Sequence, residues 1–192
     1  MILNLACLIV VEEQIADLSW ISAPYNTGDS ITCDGNKINY SGVDSSVAQT
    51  NHAITYAFHN FYIGAKIKRL EGNLGVTFGF QFGNDIQRCG YITWKYDGCI
   101  SDKNGIMTDL HFEHFKENDL IELFFSKITI GEENFKCVKF VKNKQYLGSC
   151  VIEGTILNPF ITFTPLQKNK VMAEVDTFFE NETSFNPKGI FN

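Results

Sequence analysis

The chain has 192 residues, 44% hydrophobic and 20% charged, the balance of one folded domain rather than of a disordered or fibrous chain. A formal net charge of -6 excludes the overall basic footprint that nucleic acid or an anionic membrane surface requires. The 17 Phe against only 4 Pro tilt the composition toward pleated, half-buried surface.

The run from Met1 to Val11 is apolar except for Asn4, and Glu12 and Glu13 close it. It falls short of the ~20 residues that cross a bilayer. No cationic stretch precedes it and no small-x-small cleavage site follows, so it reads as a packed strand or helix and not as a signal peptide. Residues 1–20 are the one place where a short helix is expected. From there on, short apolar-aromatic stretches alternate with Gly, Asn and Asp clusters. Strands are expected over Ile54–His59, Phe61–Leu70, Gly75–Phe82, Gly90–Tyr96, Leu120–Ile130, Asn134–Val141, Gln145–Glu153, Phe160–Pro165 and Lys170–Phe178. Glu71-Gly72-Asn73, Gly83-Asn84-Asp85, Asp97-Gly98, Asp102–Gly105 and Gly131-Glu132-Glu133 supply the turns. Many short strands with turns at this spacing indicate an antiparallel sandwich or barrel.

The clearest local unit runs from Phe135 to Glu153, two β-rich halves around Asn143-Lys144. Asn tolerates the positive φ of a two-residue hairpin turn. Such a turn sets Lys142 against Gln145, and a regular ladder then sets Cys137 against Cys150 at a non-hydrogen-bonded site, about 4.5 Å between Cα atoms and within disulfide reach. The six Cys, at 7, 33, 89, 99, 137 and 150, include no C-x-x-C pair. Buried thiols are therefore the ordinary expectation, and in a reducing cell Cys137 and Cys150 pack without a bond.

This hairpin also carries a family resemblance. Phe140-x-x-Asn143-x-x-x-Leu147-Gly148-x-Cys150 resembles the F-x-x-N-G-x-x-L-G-x-A signature of SPRY domains. Phe115-Lys-Glu-Asn-Asp119-Leu-Ile-Glu-Leu is similar to the family's F-x-x-G-D-x-I-x-V entry, and Trp94-Lys-Tyr96-Asp97-Gly98 to its W-G-Y-D-G. Leu157-Asn-Pro159-Phe160 resembles L-x-P-x-x-S-L, Lys170-Val171 the start of the last strand, Gly75-Val-Thr a V-G-V strand, and Phe61-Tyr62-Ile63 the Y-Y-W-E strand. The pieces fall in family order across about residues 30–178. Departures are Lys144 and Asn118 in place of glycines, Gly64-Ala65 near the place of the missing Glu, and no Leu-Asp-Pro segment of the PRY extension. The resemblance implies a divergent, bare SPRY domain: residues 31–178 form a bent two-sheet antiparallel β-sandwich of the concanavalin or jelly-roll kind. Residues 1–30 pack on it as an extension, and 179–192 form a tail.

The resemblance also implies a non-catalytic module that binds a protein or peptide partner through loops at one end, as a substrate-recruiting or scaffolding subunit. A monomer in the cytoplasm is expected, with no cofactor, metal, nucleic acid or membrane partner. Any ubiquitin role is expected to need another chain, since no C-x-x-C cross-brace is present. By family layout the partner-binding residues are Tyr40, Asp44, Asn84, Asp85, Arg88, Trp94, Tyr96, Thr164 and Lys168. Aromatic and Arg anchors dominate interface energetics, and loops on a rigid sandwich are free to vary. Against that stands the plain expectation that Trp94 and Tyr96 fill the core and that the charged residues are merely solvated.

Catalysis finds little support. No G-x-S-x-G elbow occurs, His111 and His114 point to opposite faces of any strand, and so do Asp119 and Glu122, which makes them a poor glycosidase pair. A glycan-active enzyme on this architecture is expected to show an acidic signature such as E-x-D-x-x-E, which is missing. The competing binding function is a lectin-like jelly roll, with Trp94 stacking on a sugar ring beside Asn84, Asp85 and Arg88, although the galectin H-x-N-x-R spacing is absent.

Overall fold

The computed structural model describes residues 18–55, 61–83, 90–102, 105–106, 114–130, 133–152 and 156–181. Every regular element in them is a strand: β1 (Trp20–Ser22), β2 (Ile31–Asp34), β3 (Lys37–Gly42), β4 (Ser46–Thr50), β5 (Ile54–Thr55), β6 (Phe61–Glu71), β7 (Leu74–Gly83), β8 (Gly90–Trp94), β9 (Ile100–Asp102), β10 (Gly105–Ile106), β11 (Leu120–Ile130), β12 (Glu133–Lys142), β13 (Gln145–Ile152), β14 (Ile156–Pro165) and β15 (Val171–Asn181). They form two wholly antiparallel sheets. The first has the order β1-β4-β14-β7-β8-β9-β10 with β5 beside β14, and the second the order β13-β12-β11-β6-β15-β3-β2. The expected all-β sandwich is the observed fold. The helix expected within residues 1–20 falls mainly on positions outside the described residues. Among the described residues no helix is long and apolar enough to cross a membrane.

Period-two alternation explains the layers. In β3, Ile38 and Tyr40 point inward while Lys37 and Asn39 face water. The same parity sends Val76, Phe78 and Phe80 of β7 and Ile121, Leu123 and Phe125 of β11 into the core. Aromatic rings then tie one sheet to the other. Phe80 meets Phe125 edge-on at 5.3 Å, Trp94 meets Phe140 at 5.6 Å, and Tyr40 stacks on Phe163 at 5.1 Å. Each such pair adds about 0.5–1.5 kcal/mol beyond its buried area.

Nine expected strands are found, with shifted ends. Ile54–His59 is described only as Ile54–Thr55, and the Phe160–Pro165 strand begins earlier, at Ile156. Pro159 is tolerated inside β14 because it falls between the stretches paired to β5 and to β4, where no donor is required. Asn158 beside it accepts a bond from Thr50 Oγ1 at 3.0 Å. Strands β1–β4, β9 and β10 were not expected. The sandwich also starts before residue 31, since β1 pairs with β4 and Leu18 and Trp20 lie in the core.

The hairpin behaves as expected at its tip and differently along its arms. Asn143 and Lys144 have φ of 52° and 69°, a two-residue turn, and Lys142 faces Gln145. A bulge then shifts the ladder: Val141 pairs with Tyr146 but Phe140 with Gly148, leaving Leu147 as the extra residue. Cys150 therefore faces Val138, and Cys137 faces Val151. One inserted residue sends the two thiols to opposite faces of the sheet, which a disulfide cannot span.

Both positions where the SPRY signature has glycine and this chain does not are left-handed: Asn118 at φ 70° and Lys144 at φ 69°. Lys pays for this conformation where Gly does not, and Lys144 is exposed with no role in the core. Lys144→Gly is expected to raise stability by about 0.5–1 kcal/mol, read as a higher urea midpoint at unchanged slope. A lower midpoint would show that Lys144 makes a contact outweighing its backbone strain.

Candidate functional site

Strand directions bring four crossings between the sheets together at one end. They are the β1–β2 loop (23–30), the β3–β4 loop (43–45), the β14–β15 loop (166–170) and the β6–β7 turn (72–73). In the first sheet the strands that feed them, β1, β4, β14 and β7, are consecutive neighbours, so the loops stand side by side at strand spacings of about 4.8 Å. Three large apolar side chains are exposed on these loops: Tyr25 at 66%, Val43 at 51% and Leu166 at 40%. Asp29, Asp44, Lys168 and Lys170 surround them, all exposed.

The loops are held in place. The Asn26 side-chain amide donates to the Val47 carbonyl at 2.7 Å and accepts from the Val47 amide at 2.9 Å, standing in for a strand residue. It donates to Ser22 Oγ as well, at 2.8 Å. The Tyr40 hydroxyl donates to the Asp44 carbonyl at 2.8 Å and fixes the β3–β4 loop from below. Burial, and then the Asp44 charge, pushes the Tyr40 phenol up, so it stays a neutral donor. The Leu166 amide donates to the Asn73 carbonyl at 2.8 Å, joining the β14–β15 loop to the neighbouring turn.

Beside these loops a buried polar clasp closes the same end. Asp119 is 7% exposed and meets Lys142 Nζ at 3.0 Å, while its oxygens also accept from Asn143 Nδ2 at 2.8 Å and the Lys116 amide at 2.7 Å. Asn143 Oδ1 accepts from the Leu120 amide at 2.8 Å, and Lys142 donates to the His114 carbonyl at 3.1 Å. Burial pushes the Asp119 carboxyl up, but these hydrogen bonds and the Lys142 charge outweigh it and hold the carboxyl below its usual range.

Six of the nine expected binding residues are described, and two of these, Tyr40 and Trp94, are buried. Asp44 and Lys168 sit on the clustered loops, with Thr164 just before one of them. Tyr96 lies at the same end, its ring over Gly75, where a Cβ would come within 2.6 Å of it. Tyr40 is 1% exposed and serves the loop only through its hydroxyl. Trp94 is 1% exposed, edge-on to Phe115 at 5.2 Å and to Phe140, so it is core and unavailable to a partner or a sugar. Asn84, Asp85 and Arg88 lie outside the described residues, and the strand ends that flank them, Gly83 and Gly90, reach the opposite end of the sandwich. Tyr25 was missed; an aromatic inside the turn-rich run Pro24-Tyr25-Asn26-Thr27-Gly28-Asp29 was the available signal. His111 lies outside the described residues. Among the described residues no three His, Cys, Asp or Glu side chains group to hold a metal ion.

No family model matches the chain, and no curated protein matches it in sequence. Solved structures do share its fold. The SPRY domain of human HERC1 superposes with a TM-score of 0.52 at 14% identity, covering 78% of this chain and 92% of that one. The Emp47p carbohydrate recognition domain gives 0.52 at 10% identity, covering 85% and 88%, and the β-glucanase of Bacillus licheniformis gives 0.53 at 10%, covering 85% and 91%. Identities this low establish a shared jelly-roll sandwich, an architecture used for protein binding, for carbohydrate binding and for catalysis alike.

Proposed function

We propose that this chain is a divergent SPRY-type domain, a non-catalytic interaction module that takes a protein or peptide partner on the sheet-crossing loops at one end. The observation that carries the reading is the row of exposed Tyr25, Val43 and Leu166 on neighbouring, hydrogen-bonded loops. Exposed apolar anchors on a fixed frame bind with little ordering cost, and a polar rim of Asp44, Thr164, Lys168 and Tyr96 supplies orientation. Left-handed Asn118 and Lys144 support the SPRY reading, because they keep the backbone that the family builds with glycine. The lectin alternative loses its supposed stacking platform with the burial of Trp94. A monomeric, cytoplasmic module belongs to the same proposal.

Affinity purification with mass spectrometry of co-eluting proteins tests it, repeated with Tyr25→Ala combined with Leu166→Ser. Truncating a hot-spot residue costs about 2 kcal/mol or more, so the double variant is expected to lose at least ~30-fold in partner affinity at an unchanged melting temperature. Full retention of every partner would remove the proposed face. A clear hit on a glycan array, with or without Ca²⁺, would move the assignment to a lectin.

A further inference from the structure

The edges of the two sheets are unequal. Among the described residues the first sheet ends on β1 and β10, of 3 and 2 residues, and the second on β2, of 4 residues, and β13, of 8. An edge strand presents a row of backbone donors and acceptors without partners, and folded chains blunt it by shortness, charge, proline or a bulge. The edges at β1, β10 and β2 are short, and β2 also ends on Asp34. β13 is long, and from Gln145 to Ile152 it holds neither a charge nor a proline. Its one guard is the bulge at Leu147, beyond which Gly148–Ile152 runs in regular register with β12. Among the described residues β13 pairs with β12 alone.

The register fixes which backbone groups point outward. The two-residue turn at Asn143-Lys144 makes its flanking pair, Lys142 and Gln145, hydrogen-bonded. Pairs then alternate, and the bulge takes the next hydrogen-bonded place. Val138–Cys150 is therefore a hydrogen-bonded pair, while Lys139–Ser149 and Cys137–Val151 are not. The N–H and C=O of Ser149 and Val151 thus point away from β12, out of the sheet edge. Their side chains share the outer side of the sheet with Tyr146, whose hydroxyl donates to Ser149 Oγ at 3.1 Å. Ser149 is exposed, and Tyr146 and Val151 are 49% and 50% exposed, so this strip is open to water. Cys150 and Ile152 turn inward and pack on the core.

We infer that the β13 edge, over Gly148–Ile152, takes an extended segment of a protein partner as an added antiparallel strand. Only a strand matches this row of groups: the residues opposite Ser149 and Val151 each exchange a pair of backbone hydrogen bonds with them. Side chains set the rest of the chemistry. The partner residue opposite Val151 stands beside a half-exposed apolar side chain, which suits a β-branched or aromatic residue. The one opposite Cys150 faces the core side and is apolar as well. Nothing on β13 supplies a counter-charge, so the segment is uncharged where it pairs. A second copy of this chain suits the edge less, because its own β13 offers only the stretch beyond its bulge, whereas a free segment follows the bend. The edge shares no residue with the loop-end surface and does not rest on that reading.

Amide hydrogen exchange of the full chain, read residue by residue by NMR, tests this. In the chain alone the Ser149 and Val151 amides are expected to exchange at least ~100-fold faster than the Cys150 amide, which β12 holds. Equal protection of all three means an edge already occupied and overturns the inference. The probe is a synthetic peptide, a Thr-Val repeat with lysines at both ends, at up to millimolar concentration. It is expected to slow exchange at Ser149 and Val151 saturably, by at least ~10-fold, and the same peptide N-methylated throughout is expected to have no effect. Ser149→Lys combined with Val151→Lys is expected to weaken peptide binding at least ~10-fold at an unchanged melting temperature. Tyr25→Ala with Leu166→Ser is expected to leave it unchanged. If the lysine variant unfolds, the two peptides compared on the unmodified chain decide. No protection by the plain peptide, or equal protection by the N-methylated one, overturns the inference. So does protection that grows with protein concentration alone, which assigns the edge to a second copy.

Discussion

Asp119→Ala is expected to destabilise the domain by about 3–5 kcal/mol, because it strands a buried Lys142 ammonium together with the donors of Asn143 and Lys116. Equilibrium urea unfolding at neutral pH measures the loss, and a cost below about 1 kcal/mol would mean that Lys142 finds water or another acceptor. The clasp matters because it fixes three separate segments to one another. Asn118 donates to the Ile67 carbonyl at 2.7 Å, Ile67 donates to the Asp119 carbonyl at 3.0 Å, and Asn143 donates to the Leu120 carbonyl at 2.9 Å. The loop before β11, the middle of β6 and the β12–β13 turn thus meet around one carboxylate.

The same group sets part of the acid limit. Its carboxyl is held below the ordinary range in the folded chain, so the unfolded chain takes up the proton first as pH falls. The stabilisation is complete above the unfolded value of about 3.9 and drains away as pH falls through the folded value. Asp119→Asn is expected to be less stable at pH 7 and to show a shallower decline below about pH 4 than the parent chain. Parallel acid limbs in the two chains would assign that titration to other carboxylates.

Trp94→Ala is expected to cost about 3–5 kcal/mol, the usual loss when a fully buried large aromatic is truncated. Trp94 sits opposite Phe78 on β7 and meets Phe115 and Phe140 edge-on, so its removal opens a cavity shared by both sheets and the loop before β11. Trp94→Phe is expected to recover part of the loss. Partner binding measured well below the melting temperature is expected to survive Trp94→Phe, as it would not if Trp94 were a contact residue. The measurement therefore separates a core tryptophan from a binding one.

The sequence pattern makes the sandwich, the turn at Asn143-Lys144 and the opposite facing of Asp119 and Glu122 legible without coordinates. All three depend on local parity, the two-residue period of a strand and the φ demands of a short turn. The binding surface was legible only in pieces. Tyr96 looked like the strand partner of Trp94, but β8 stops at Trp94, and the following turn carries the Tyr96 ring over Gly75. Asn84, Asp85 and Arg88 lie outside the described residues, and their grouping with Asp44 and Lys168 rests on the family layout alone. Strands β1–β4, at 3 to 6 residues, were too short for their alternation to stand out, and with them went the count that assigns each loop to an end.

The sequence by itself determined the fold class and the chemistry available to the loops, because alternation and turn composition act over a few neighbouring residues. Tertiary structure alone decided the register of β12 against β13, the burial of Trp94 and the gathering of Tyr25, Val43 and Leu166 at one end. A single bulged residue inverts which face a cysteine takes, and a loop's neighbours depend on the order of strands far apart in the chain. Both are settled by packing two sheets around one core.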